Sequence, residues 1–205
     1  MNVVAPGPLA AGDFDGDGDL DIIAGAARLR TPLYFNDGHG GFNRATTLKV
    51  QNHGVVAADL NRDRKIDLVV NNSVYLGNGN GTFNSGAAIP NTLYAVEASG
   101  DFNGDGRLDL VVPTVDTLDR RMQILAGRGN GTFEAMAILR PVDWGISGPV
   151  ADLNHDGKSD LIVFHQPSGG MTAPKVIESY DGNYMTGDLH LVRTYQHDTV
   201  GVLLS

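Results

Sequence analysis

The sequence predicts an all-β chain built from repeated four-stranded antiparallel units, and three observations predict it. The first is composition: 21 Asp stand against three Glu (Glu97, Glu134, Glu178), beside 27 Gly in 205 residues. Glu favours helices, whereas Asp and Gly favour turns, so many short strands joined by tight bends are expected. The second is a nine-residue acidic pattern that occurs four times: DFDGDGDLD (13–21), DLNRDRKID (59–67), DFNGDGRLD (101–109) and DLNHDGKSD (152–160). Each copy runs straight into an apolar stretch, IIAG, LVVN, LVVP or LIVF, and successive copies begin 46, 42 and 51 residues apart. The third is a glycine-rich turn ending in Phe: LYFNDGHGGF (33–42), VYLGNGNGTF (74–83) and ILAGRGNGTF (124–133). Asn-Gly and Asp-Gly between apolar stretches are strong hairpin signals, because both residues tolerate positive φ.

One unit therefore reads as strand, acidic loop, strand, strand, hairpin, strand. The strand before the loop is a segment such as GVVAA (54–58) or YAVEA (94–98), and the one after the hairpin is ATTLKV (45–50) or EAMAIL (134–139). Four-stranded units at this period predict β-propeller blades. Blades are expected at about 5–50, 51–92, 93–141 and 142–194, all in one propeller region spanning 1–205. Residues 195–205 are expected to form the first strand of a further blade or a closing strand, since VGVLLS (200–205) aligns with YAVEAS (94–99). The chain is thus expected to be an arc or fragment of a larger propeller. Phe42, Phe83 and Phe133 are expected to be plain core. The fourth unit departs from the pattern, with SYDGNY in place of the glycine-rich hairpin and Asp181-Gly182 as the expected turn.

The acidic loops carry the chemistry. Alternate positions 1, 3, 5 and 9 of a tight loop can converge on one cation, with a backbone carbonyl at position 7. An all-oxygen set of this kind suits Ca²⁺, which takes about six to eight oxygen ligands. Side-chain ligands are expected from Asp13, Asp15, Asp17 and Asp21; from Asp59, Asn61, Asp63 and Asp67; from Asp101, Asn103, Asp105 and Asp109; and from Asp152, Asn154, Asp156 and Asp160. Asp19, Lys65, Arg107 and Lys158 stand at position 7 and would contribute only their carbonyls. An EF-hand is excluded: it needs a bidentate Glu at position 12, and that position is Ala24, Val70, Val112 or Val163 inside an apolar stretch.

Up to four Ca²⁺ are expected, and four would take the net charge from −9 to −1. The loop from Asp59 to Asp67 is expected to be the weakest site. Arg64 replaces the glycine at position 6, at a cost of about 1 kcal/mol in the left-handed region. Arg62, Arg64 and Lys65 also repel a cation there.

These loops, DFDGDGDLDIIAG, DLNRDRKIDLVVN, DFNGDGRLDLVVP and DLNHDGKSDLIVF, resemble the calcium loops of FG-GAP/VCBS repeats, and the GNGNGTF turns resemble the bacterial form. Such repeats form the propeller blades of integrin α-subunits and of many secreted bacterial proteins and lectins. The resemblance implies Ca²⁺ on side chains at positions 1, 3, 5 and 9 and on the position 7 carbonyl. It also implies a ring that usually closes at about seven blades.

Other chemistry finds little support. The net charge of −9 offers no basic stripe for nucleic acid, and no run of 18 apolar residues could span a membrane. The absence of Cys excludes disulfides, thiolate metal sites and cysteine nucleophiles. The six histidines show no metalloprotease spacing, and no nucleophile elbow or phosphate-binding loop appears. Asn80-Gly81-Thr82 and Asn130-Gly131-Thr132 match glycosylation acceptors but read first as hairpin turns. Trp144 is expected to be buried between blades. No signal peptide is visible in the sequence as it stands.

The expected function is a non-catalytic, calcium-stabilised extracellular module for adhesion or for protein or glycan binding. A sugar-binding lectin and the accessory propeller of a secreted polysaccharide-degrading enzyme are the alternatives. Self-association is expected if the propeller is incomplete, because uncovered blade faces remain adhesive.

Overall fold

The computed structural model describes residues 9–24, 31–50, 54–90, 92, 96–114, 122–139, 146–152, 155, 157–165, 175–183 and 188–197. Trp144, residues 198–205 and the PSGG segment (167–170) fall outside the described residues. Every described element is a strand, and the strands form four antiparallel four-stranded sheets, each in simple sequence order. The first sheet holds β1 (Leu9–Gly12), β2 (Asp21–Ala24), β3 (Thr31–Asn36) and β4 (Phe42–Leu48). The second holds β5 (Val55–Ala58), β6 (Asp67–Val70), β7 (Ser73–Gly77) and β8 (Phe83–Ala88). The third holds β9 (Ala98–Gly100), β10 (Asp109–Pro113), β11 (Met122–Gly127) and β12 (Phe133–Leu139). The fourth holds β13 (Ile146–Ala151), β14 (Asp160–His165), β15 (Lys175–Asn183) and β16 (Asp188–His197). These are β-propeller blades, with each acidic loop joining a first strand to a second.

The strands divide between two compact units. Met1–Val96 with Ala126–Glu134 form the first, and Glu97–Leu125 with Ala135–Ser205 form the second. The first unit thus contains sheets one and two together with the turn between β11 and β12. In this unit β1 lies beside β5, and in the second unit β9 lies beside β13. In the second and third sheets the second strands carry the core. All four residues of β6 are buried, as are Asp109–Val112 of β10, which is why those stretches read as continuous apolar runs. In the first unit Phe14, Ile23, Leu33, Leu68 and Val70 form one cluster.

Three glycine-rich turns fold alike. Asp37, Asn78 and Arg128 each donate a backbone N–H to the carbonyl four residues on, at 3.0, 2.9 and 2.9 Å. Gly38, Gly79 and Gly129 have φ of 70°, 70° and 67°, and Gly40, Gly81 and Gly131 have 89°, 76° and 77°. Gly81 is also held by packing, since a Cβ there would lie 2.1 Å from the Phe35 ring of the preceding blade.

Two local expectations are corrected. Asp181-Gly182 is no turn: β15 runs through both residues, with Asp181 opposite His190 and Gly182 opposite Leu189. The extended pairing of β15 with β16, which includes a bulge between Ser179 and Tyr180, overrides the local turn preference. Phe42 is not core but 44% exposed, whereas Phe133 is 9% exposed. Phe83 is half-buried against Phe14 of the preceding blade, edge to face with centroids 6.0 Å apart. The fourth sheet extends through His197, so β16 includes residues 195–197.

Candidate metal centre

Each acidic loop is a coil of backbone N–H groups wound around its first aspartate. In the first loop Gly16 and Gly18 donate N–H to the two Asp13 carboxylate oxygens at 2.7 and 3.1 Å. Position 5 then donates to position 3, and position 7 to position 5: Asp17 N–H to Asp15 at 3.3 Å, and Asp19 N–H to Asp17 at 2.9 Å. The second loop repeats this, with Asp63 and Arg64 donating to Asp59 at 3.1 and 2.9 Å, Asp63 to Asn61 at 3.0 Å and Lys65 to Asp63 at 2.9 Å. In the third, Gly104, Asp105 and Gly106 donate to Asp101 at 2.8, 3.1 and 2.8 Å, Asp105 to Asn103 at 2.9 Å and Arg107 to Asp105 at 2.9 Å. In the fourth, Gly157 donates to Asp152 at 3.0 Å. Asn154 and Asp156 lie outside the described residues, and Asp160 and Lys158 stand in β14 and the end of the loop.

The winding places two residues per loop in the left-handed region, at positions 4 and 6. Gly16 and Gly18 have φ of 83° and 95°, Gly104 and Gly106 77° and 75°. The second loop follows the same path with Arg62 at 65° and Arg64 at 67°, and the fourth with His155 at 64° and Gly157 at 86°. Position 6 is thus not the only bend that needs positive φ, and Gly16 and Gly104 at position 4 of loops one and three carry its signature in the sequence. Replacing Arg62 and Arg64 with Gly is expected to stabilise the chain by about 1 kcal/mol per site, because each Arg is strained in that region. Urea unfolding in the presence of EDTA measures this directly.

Position 9 has a role beyond the expected ligand. Asp21 is fully buried, and its two oxygens accept N–H groups from Phe14 at 2.9 Å and Asn36 at 3.0 Å. Asp67, also fully buried, accepts from Leu60 at 2.9 Å and Gly77 at 2.8 Å, and Asp109 accepts from Phe102 at 3.0 Å. This carboxylate pins the start of its loop and, in the first two blades, the end of the third strand. Burial pushes Asp67 above the ordinary carboxylate range, and Asp63 and Asp59 add to the rise against the lowering N–H groups of Gly77 and Leu60.

In the first loop, carboxylate oxygens of Asp13, Asp15 and Asp21 all lie within 4.8 Å of one another. The Asp15 carboxyl is raised by desolvation and then by the charges of Asp21, Asp17 and Asp13, against an opposing N–H from Asp17. Mutual repulsion of this kind is what a bound cation relieves. Loops two and three instead carry their own cations at position 7. Lys65 Nζ lies 3.8 Å from Asp63, and the Arg107 guanidinium lies 3.0 Å from Asp105. The donor set is oxygen only, as a hard cation requires.

No curated protein matches the chain in sequence. Among solved structures, BBS1N in complex with ARL6DN aligns with a TM-score of 0.52 at 13% identity, covering 95% of this chain and 59% of that one. The chain thus spans less than two thirds of that structure's length. A protein from Lactobacillus plantarum aligns at a TM-score of 0.48 and 16% identity, covering 92% of this chain and 70% of its own. The FG-GAP-like repeat matches residues 13–70 and 101–163, which contain all four acidic loops whole. With more than half of its length matched, this chain belongs to the FG-GAP-like repeat family.

Proposed function

We propose that the chain is a calcium-binding, calcium-stabilised extracellular propeller module that binds a protein or glycan partner and performs no catalysis itself. The observation that carries the proposal is the convergence of Asp13, Asp15 and Asp21 within 4.8 Å on a loop already wound by backbone N–H groups. Asp13, Asp15, Asp17 and Asp21, with the Asp19 carbonyl, would hold the ion in the first loop. Asp101, Asn103, Asp105, Asp109 and the Arg107 carbonyl would serve in the third, and Asp152, Asn154, Asp156, Asp160 and the Lys158 carbonyl in the fourth. Asp59, Asn61, Asp63, Asp67 and the Lys65 carbonyl form the weakest set, because Arg62, Arg64 and Lys65 surround it. A bound ion supplies the positive charge that crowded carboxylates lack. The protein's part is to preform the bend, so that little ordering remains to oppose binding.

Calorimetric titration of the metal-free chain with Ca²⁺ tests the reading. Asp15→Ala is expected to abolish the tightest binding event while leaving the circular dichroism of the sheets unchanged. A chain that takes up no Ca²⁺ at millimolar concentration would overturn the proposal.

A further inference from the structure

The chain holds four Asn-Gly pairs: Asn78-Gly79, Asn80-Gly81, Asn103-Gly104 and Asn130-Gly131. Such a pair can modify itself. The glycine nitrogen attacks the asparagine side-chain carbonyl to close a five-membered ring, and glycine has no side chain to obstruct it. A hydrogen bond from that nitrogen to another acceptor opposes the attack. In three of the four pairs the nitrogen is held in this way. Gly81 donates to the Phe14 carbonyl at 2.8 Å, Gly131 to the Leu60 carbonyl at 3.0 Å, and Gly104 to Asp101 at 2.8 Å. The asparagine oxygens of the same pairs are also engaged by the backbone two residues on. Asn80 accepts from the Thr82 N–H at 3.1 Å, Asn130 from Thr132 at 3.1 Å, and Asn103 from Asp105 at 2.9 Å.

Asn78-Gly79 differs on both counts. The Gly79 N–H meets no acceptor among the described residues. One residue in the preceding strand is the cause. In the first hairpin the equivalent N–H, that of Gly38, is taken by the Asn36 side chain at 3.1 Å. The place of Asn36 falls to Gly77 in the second hairpin, where a Cβ would lie 2.2 Å from the Ile66 carbonyl oxygen, so no side chain can stand there. The Asn78 carboxamide is meanwhile polarised, because Asn84 Nδ2 donates to its oxygen at 2.7 Å. A donor so placed stabilises the negative charge that the oxygen acquires when the carbon is attacked. The acid that would result is already accommodated in this turn. Asp37 stands at the same position of the first hairpin, where it accepts the N–H groups of His39 and Gly41 at 2.9 and 2.8 Å.

We propose that Asn78 is a self-modification site, converted through a succinimide to aspartate and isoaspartate while the chain stays folded. Gly79 gives its amide proton to hydroxide, and its nitrogen bonds to Asn78 Cγ. The bond from Cγ to Nδ2 breaks, and Nδ2 leaves as ammonia with a proton taken from water. A second water then adds at either ring carbonyl and opens the ring. The net change is a carboxylate for an amide, one negative charge more. Aspartate keeps the backbone as it was, whereas isoaspartate lengthens it by a methylene. The turn has little room for that. A Cβ on Gly16 of the first loop would lie 3.0 Å from the Gly79 carbonyl oxygen, and Gly81 is buried and tied to Phe14. The isoaspartyl form therefore loosens the second hairpin from the first acidic loop.

Incubation of the folded chain in warm, mildly alkaline buffer, followed by peptide mapping, tests this. Exposure alone would favour Asn80 and Asn130, which are exposed, over the half-buried Asn78. Hydrogen bonding predicts the reverse. Amide loss is expected chiefly at Asn78, and about tenfold or more slower at Asn80, Asn103 and Asn130, where attack waits for a local opening that frees the glycine N–H. In urea that preference is expected to disappear. Asn78→Gln, which would need a larger ring, is expected to remove the main acidic species on isoelectric focusing, and Asn80→Gln to leave it. The isolated isoaspartyl chain is expected to exchange its Gly81 amide hydrogen several-fold faster than Asn78→Asp, which has the same charge on an unaltered backbone. Equal modification of the four pairs in the folded chain, or an acidic species that survives Asn78→Gln, would overturn the proposal. So would equal exchange at Gly81 in the two acidic forms. Because no readout depends on calcium uptake, failure here and failure of calcium binding are separable.

Discussion

Excess EDTA is expected to lower the melting temperature of the calcium-loaded chain by about 5–10 °C for each site emptied. At a free Ca²⁺ concentration a hundred times the dissociation constant, one site contributes about 2.7 kcal/mol of stability. For a chain of about this length, each kcal/mol is worth about 2–4 °C. The largest share should come from the first loop, where Asp13, Asp15 and Asp21 converge and Asp15 is raised by desolvation and then by the neighbouring charges. The second loop should contribute least, since Lys65 already stands 3.8 Å from Asp63. Differential scanning calorimetry with and without EDTA measures the shift, and a melting temperature indifferent to chelation would remove structural calcium from the reading.

Asp67→Ala is expected to destabilise the chain by about 2–6 kcal/mol even with EDTA present, because each buried N–H left without a partner costs about 1–3 kcal/mol. The carboxylate is fully buried and accepts from Leu60 and Gly77, so its removal orphans both donors inside the first unit. Asp63→Ala supplies the contrast. Asp63 is exposed and its pairing with Lys65 is a surface contact, so its loss in EDTA should cost less than about 1 kcal/mol. Urea unfolding of the two variants in EDTA separates the roles: equal small effects would mean that the position 9 aspartate does not pin the loop.

Much of the fold was legible because the same signal recurs. The acidic loop, the apolar run and the glycine-rich turn each fix one bend or one strand, and their repetition gives the strand order of every sheet. The acidic spacing was legible, and in the first loop carboxylate oxygens of Asp13, Asp15 and Asp21 lie within 4.8 Å of one another. What was hidden depends on contacts between distant residues. Nothing local distinguishes Asp21 or Asp67 from the other loop aspartates; their double hydrogen bonds reach to Asn36 and Gly77, at the far end of the third strand. Phe42 carries the same local signature as Phe83, and only the preceding loop residue, Phe14, separates a packed ring from an exposed one. Asp181-Gly182 has turn chemistry, but β15 gains more from nine paired positions with β16 than from bending early.

The Gly81 N–H on the Phe14 carbonyl and the Gly131 N–H on the Leu60 carbonyl tie the second and third hairpins to the loop of the blade before. Stability in such an array is set by individual blades plus the couplings between adjacent ones. Damage to the first loop should therefore be felt by the second blade before any other, and melting should travel along the chain as a front rather than strike everywhere at once.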